Sequence, residues 1–130
     1  MAYTVGQQRK KVLVGNSFPL SLVRNHRVEI EEIGVEALRR ILAESEPVSY
    51  WGHENSRSAA EKVVAVSLRP AVERPAMTLD DEGFPTLDGE RYTECHVLSP
   101  DYAPGFRPAI GTEVPPEAIL SWHALRLTWK

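Results

Sequence analysis

The sequence holds one cysteine, Cys95, in 130 residues, so no disulfide can form within the chain and no cysteine cluster for zinc exists. A reducing cytoplasm fits that usage, in a prokaryotic cell or in a cell infected by a virus. No apolar stretch approaches the roughly 20 residues that a membrane-spanning helix needs. The first eight residues, Met-Ala-Tyr-Thr-Val-Gly-Gln-Gln, lack the apolar core of a secretory signal. The expectation is therefore a cytoplasmic protein with no membrane partner. Strong charge is missing too: the net charge is -3 and the pI near 5.8. That balance argues against a binder of long nucleic acid, whose phosphate lattice needs a basic face, while leaving a small nucleotide open.

Several catalytic signatures are also absent. His53-Glu54 is not followed by the second histidine one turn later that a metalloprotease helix requires. There is no Ser-His-Asp elbow and no glycine-rich phosphate loop, because Gly52 stands alone. No metal and no cofactor is expected.

What is present suits one globular domain spanning residues 1–130, with 42% hydrophobic and 25% charged residues. Residues 1–10 read as a loose polar tail. Val12-Leu13-Val14 is a short continuous apolar run ended by Gly15-Asn16-Ser17, which predicts a buried strand leaving through a polar turn. Residues 28–33 alternate apolar and charged, as a half-buried strand does. Val35, Leu38, Ile41 and Leu42 recur at helical spacing, Glu46-Pro47 closes that helix, and Val48 to Trp51 predicts a second strand. Strand, helix and strand in this order suggest a largely parallel layer.

The polar stretch Gly52-His53-Glu54-Asn55-Ser56 then leads into a second helix. Ser58-Ala59-Ala60-Glu61 matches a capping box, the start falls between Asn55 and Ser58, Ala60, Val63, Val64 and Leu68 supply the apolar face, and Arg69-Pro70 is the expected stop. Residues 76–79 predict a strand, the acidic segment 80–90 an exposed hairpin excursion, and residues 91–98 a strand with Tyr92, Glu94 and His96 on one face. A Pro/Gly-rich loop from Ser99 to Gly111 carries Arg107. A proline-opened turn near residue 116 precedes a final strand holding Leu125, Leu127 and Trp129. The sum is an α/β domain, a mixed sheet of about five strands flanked by helices.

Of the four histidines, His26, His96 and His123 receive no role. His53 differs, because a strand-to-helix loop brings backbone N-H groups at the helix start close to any anion beside it. On the residues alone, a capping or core-bridging histidine is the safer reading. A histidine acid, a loop arginine in Arg107 and short polar side chains make a set suited to phosphodiester chemistry without metal.

The order Val12-Leu13-Val14-Gly15-Asn16-Ser17, an amphipathic helix, then Val48 to Trp51 with Gly52-His53-Glu54-Asn55-Ser56 resembles the viral anti-CRISPR ring nucleases. That family has a first strand ending in Asn plus a small hydroxyl residue, a Gly-His-Glu-Ser-Thr-like motif and a late Arg-x-Pro-Glu-Gly-like loop. The resemblance implies a homodimer that binds cyclic tetra-adenylate, a cyclic oligoadenylate messenger of type III CRISPR defence, at the subunit interface and cuts it without metal. It implies His53 as the general acid and Arg107 as the group stabilising phosphate charge. Asn16, Ser17, Gly52, Glu54, Asn55 and Ser56 would hold the ring.

The sequence departs from the family at Ile110, where a glutamate follows the arginine by three residues, and Glu113 is displaced from that place. The departure implies slower turnover or a different cyclic nucleotide, and the acidic segment 80–90 has no counterpart in the family pattern. Two alternatives remain from other classes. One is a non-catalytic sponge that sequesters a cyclic nucleotide; the other is a small interaction module in which His53 only caps a helix.

Overall fold

The computed structural model describes residues 10–18, 27–52, 54–70, 77–107, 112 and 114–130, with the side chains of Glu54 and Asn55 outside the description. In chain order the elements are β1 (Lys11–Gly15), β2 (Val28–Glu32), α1 (Val35–Glu44), β3 (Glu46–Ser49), α2 (Glu54–Val64), β4 (Met77–Leu79), β5 (Pro85–Leu87), β6 (Glu90–Arg91), β7 (Glu94–Tyr102), a 3-10 turn (Pro116–Ala118) and β8 (Ile119–Trp129). The main sheet has five strands in the order β2-β8-β7-β1-β3, and β4-β5-β6 form a separate three-stranded sheet. β1 runs parallel to β3 and β7, whereas β8 runs antiparallel to β7 and β2. The sheet is thus mixed, and the largely parallel layer expected from strand-helix-strand order is confined to β3-β1-β7.

The continuous apolar run in β1 follows from its surroundings. Val12 and Val14 face the helices, packing with Leu38 and Leu42 of α1 and with Ala60 and Val64 of α2. Leu13 faces the other way, into a cluster with Cys95, Leu127 and Trp129. A strand covered on both faces has no use for alternation. The two edges are protected differently: β2 carries Glu29, Glu31 and Glu32, and β3 carries Pro47. Charge on one edge and a missing N-H on the other discourage further strand pairing.

That edge position also explains why β3 starts earlier than the apolar run predicts. Pro47 lies inside β3, opposite Val12, because an edge strand needs no N-H on its outer side. Tyr50 and Trp51, expected in the strand, come after its end. The capping box is overturned as well. α2 opens at Glu54, leaving Ser58 in the helix body, and Glu61 Oε2 instead accepts a hydrogen bond from Leu68 N at 2.7 Å. The helix stops at Val64, well before Arg69-Pro70. Ala65 takes φ 60°, the left-handed conformation that ends many helices. Leu68 then folds back into the core, fully buried.

The acidic stretch is a hairpin, yet it is not simply exposed. Leu87 and Tyr92 are buried against Leu13, Cys95 and Val97, so the small sheet roofs part of the face that the helices leave open. Tyr92 therefore does not share a face with Glu94 and His96. The chain turns between β6 and β7, and the ladder of β7 starts only at Glu94. Arg91 fixes the hairpin, with Nε 2.5 Å from Asp80, Nη2 3.0 Å from Glu82 and its guanidinium 4.6 Å above the Phe84 ring. β7 also runs on to Tyr102 through Pro100, where a loop was expected. There its outer neighbour β1 has ended, which frees the side of Pro100 that lacks a donor.

Candidate functional site

β1 and β3 are adjacent and parallel, so their carboxyl ends open on one side of the sheet, where ligands of αβ sheets commonly bind. The exit of β1 is Gly15-Asn16-Ser17; that of β3 is Tyr50-Trp51-Gly52, after which α2 begins at Glu54. The first-turn N-H groups of a helix have no intrahelical acceptors and favour an anion.

Three successive amides of the β3 exit are tied down. Tyr50 N donates to Val14 O at 3.0 Å, continuing the ladder by one step. Trp51 N donates to Ser49 Oγ at 3.1 Å, and the Ser49 hydroxyl in turn donates to the carbonyl of Leu68. Gly52 N donates to Asn16 Oδ1 at 2.9 Å. The two exits are thereby stitched together by backbone and by the Asn16 side chain. Below them, the ring of Tyr50 lies directly on Gly15, and its hydroxyl is 3.0 Å from Cys95 Sγ. Burial pushes the Tyr50 phenol well above its ordinary range and the Cys95 thiol up to about 12. Both stay neutral at pH 7. Cys95 is thus a packing residue, with no thiolate to offer as nucleophile.

The residues expected to form a site are distributed as follows. Asn16 and Gly52 meet directly. Ser17 is exposed beside Asn16. Ser56 lies in the first turn of α2 and is buried, 3% exposed. Glu54 and Asn55 open the same helix. His53 lies outside the described residues, as do Ile110 and Glu113. Arg107 is exposed, and no hydrogen bond or ion pair joins it to Asn16 or Gly52 among the described residues. Gly15 pairs at the level of Val97, and β7 continues from Leu98 to Tyr102 beyond it. That overhang is roughly 16 Å of extended chain. Arg107 follows a turn closed by Phe106 N donating to Ala103 O at 3.0 Å, near the tip of the β7-β8 ribbon.

Three contributors escape a reading of the sequence: Gly15, Ser49 and Tyr50. Only the break after Val14 hints at the first. Nothing in the local pattern announces the others, since each acts on a residue distant in the chain.

The two described histidines outside this region hold structure. His123 Nδ1 and Nε2 stand 3.0 Å from Glu32 and Asp101, joining β2, β8 and β7 on the face opposite the helices, and the Glu32 bond chiefly raises its pKa. His96 is fully buried, with Nε2 2.6 Å from Glu94 Oε2, while Lys10 Nζ is 2.9 Å from Oε1 of the same carboxylate. The His96 hydrogen bond, then that of Lys10, pull the Glu94 pKa from 4.5 to about 2 against its partial burial. A lowered pKa adds stability above the unfolded value of 4.5, and this contribution is lost as pH falls toward about 2. Urea unfolding should therefore show wild type losing on the order of 1–3 kcal/mol more than Glu94→Gln across that window. Parallel losses in the two proteins would show that the carboxylate is not held this way.

No protein-family model and no curated protein matches the chain. Among solved structures it is similar to B116 of Sulfolobus turreted icosahedral virus, with a TM-score of 0.55 and 12% identity over 91% of this chain and 98% of that one. At that identity the likeness is one of fold, extending over nearly the whole of both chains.

Proposed function

We propose that the protein is a metal-independent ring nuclease that binds and cleaves cyclic tetra-adenylate, removing a cyclic oligoadenylate signal and so blunting type III CRISPR defence. The observation that supports this most is the joining of the Asn16-Ser17 and Gly52-His53 segments, the two motifs on which the family resemblance rests, through the Asn16–Gly52 hydrogen bond. They are 36 residues apart in sequence and meet at the carboxyl ends of parallel strands. The fold likeness to a viral protein is compatible with a viral origin.

In this reading a ribose 2′ hydroxyl of the ring attacks the adjacent phosphorus. The 2′ O-P bond forms as the P-O5′ bond breaks, His53 gives its proton to the departing 5′ oxygen, and a linear product with a 2′,3′-cyclic phosphate results. The nucleophile is tethered to its target, so the protein mainly has to hold in-line geometry, which is worth several orders of magnitude in rate. An imidazole with an unperturbed pKa near 6.5 is suited to act as acid at neutral pH. A guanidinium such as Arg107 can meet two phosphate oxygens at once. A two-fold homodimer matches a ring of even symmetry and offers one His53 to each of two opposite phosphates.

The protein incubated with cyclic tetra-adenylate in EDTA should give linear products ending in 2′,3′-cyclic phosphate. An intact ring after long incubation with excess protein would exclude the nuclease. Ile110 at the family's glutamate position favours a second reading, a sponge that binds the ring without cutting it. Calorimetric binding with no product would select the sponge.

A further inference from the structure

We infer that Asn16 is a positioning residue for the β3-α2 loop, acting through Gly52 rather than through the ring, an inference that rests on the nuclease reading above. A backbone N-H can only donate, so the atom of Asn16 that meets Gly52 N at 2.9 Å is the carbonyl oxygen of its side chain. That oxygen is committed to the loop.

The consequence lies in where the chain is held. Tyr50 N is anchored to Val14 and Trp51 N to Ser49, both through partners below the exits, and Trp51 itself is buried among the helix-side residues. Gly52 is exposed and has no side chain with which to pack. Among the described residues, its amide hydrogen bond to Asn16 is the tie nearest to residue 53 on the β3 side. On the other side of residue 53, α2 opens at Glu54. Pinning the Gly52 nitrogen therefore fixes the departure of the peptide that carries the proposed acid. A misplacement of about 1 Å at a reacting group can lower a rate by about 100-fold.

Two substitutions separate this role from a ring contact. Asn16→Ala removes both the acceptor and the amide donor, whereas Asn16→Asp keeps an accepting oxygen in the same place and exchanges the donor for a negative charge. Under single-turnover conditions at saturating cyclic tetra-adenylate, Asn16→Ala should cut about 10- to 100-fold more slowly with ring affinity within about threefold of wild type. Asn16→Asp should recover most of that rate despite its added negative charge. In the same variants, hydrogen exchange at the Gly52 amide should speed up at least about tenfold in Asn16→Ala and remain near wild type in Asn16→Asp.

A variant Asn16→Ala that cuts at the wild-type rate overturns the inference. So does an Asn16→Ala whose ring affinity falls far beyond threefold, a loss that no added charge can explain and the signature of an amide donor pointed at the ring. Failure of wild type to cut would instead dispose of the nuclease reading. The Gly52 exchange rates would still decide whether Asn16 holds the loop, and unchanged protection in Asn16→Ala would show that it does not.

Discussion

His53→Ala should lose ring cleavage by about 100- to 10,000-fold, the usual worth of a positioned general acid, while ring affinity stays within about threefold of wild type. The split follows from when the proton is needed. In the ground state the 5′ oxygen is a bridging ester oxygen with little charge, so an acid beside it adds little to binding. In the transition state that oxygen is becoming an alkoxide, and the interaction strengthens sharply. A group that acts only there changes kcat and leaves the dissociation constant alone. Among the described residues, the segments on either side of His53 are held by other groups. The neighbouring amides of Tyr50, Trp51 and Gly52 have partners other than the imidazole, and α2 packs through Ala60 and Val64, well along from its start. Product analysis in EDTA with parallel calorimetry would measure both halves. A His53→Ala protein that cuts at the wild-type rate removes the acid from the mechanism. One that loses binding and cleavage together points to a ground-state contact.

How much of this was legible beforehand depends on the range of the interaction. Strand β1, helix α1 and strand β8 were readable because a local pattern states their surroundings: apolar on both faces for Val12 to Val14, helical spacing for Leu38 and Leu42, alternation for Leu125 to Trp129. Boundaries failed where a distant partner decided them. Pro47 entered β3 because that strand took the sheet edge, and Glu61 turned from a supposed cap to Leu68 because the helix started earlier. The same division runs through the candidate site. Asn16, Ser17 and Gly52 stood out as polar residues at the ends of apolar runs, and the fold brings Asn16 and Gly52 into contact. Arg107 was chosen from a Pro/Gly-rich loop, a context that fixes no distance. It follows the end of β7, which continued as a strand past Pro100 to Tyr102. Ser49 and Tyr50 looked like ordinary strand residues, and only their partners, Leu68 and Cys95, reveal what they do.

Gly15→Ala should destabilise the protein by about 2–3 kcal/mol, a large cost for one methyl group. A Cβ built on Gly15 falls 2.3 Å from Tyr50 Cε2, 2.4 Å from Cζ and 2.7 Å from Cδ2, distances that require something to move. The ring cannot simply swing aside. Its hydroxyl is engaged with Cys95 Sγ, its backbone N is bonded to Val14, and it packs against the cluster that holds Leu13 and Leu127. Relief must then come from the backbone of one strand exit, the same two segments that carry Asn16 and Gly52. Cleavage should therefore fall along with stability. Gly52→Ala is the control: its nearest outside atom would be Asn16 Oδ1 at 3.8 Å, an ordinary contact. It should change stability by no more than about 0.5 kcal/mol. Tyr50→Leu shortens the side chain that Gly15 underlies, so Gly15→Ala added to Tyr50→Leu should cost much less than it does alone, with a coupling of at least about 1 kcal/mol. Urea midpoints at constant slope give all four values. Equal costs of Gly15→Ala in the two backgrounds would mean that the ring is not what excludes the methyl group. The glycine at the end of β1 would then owe its place to the backbone alone.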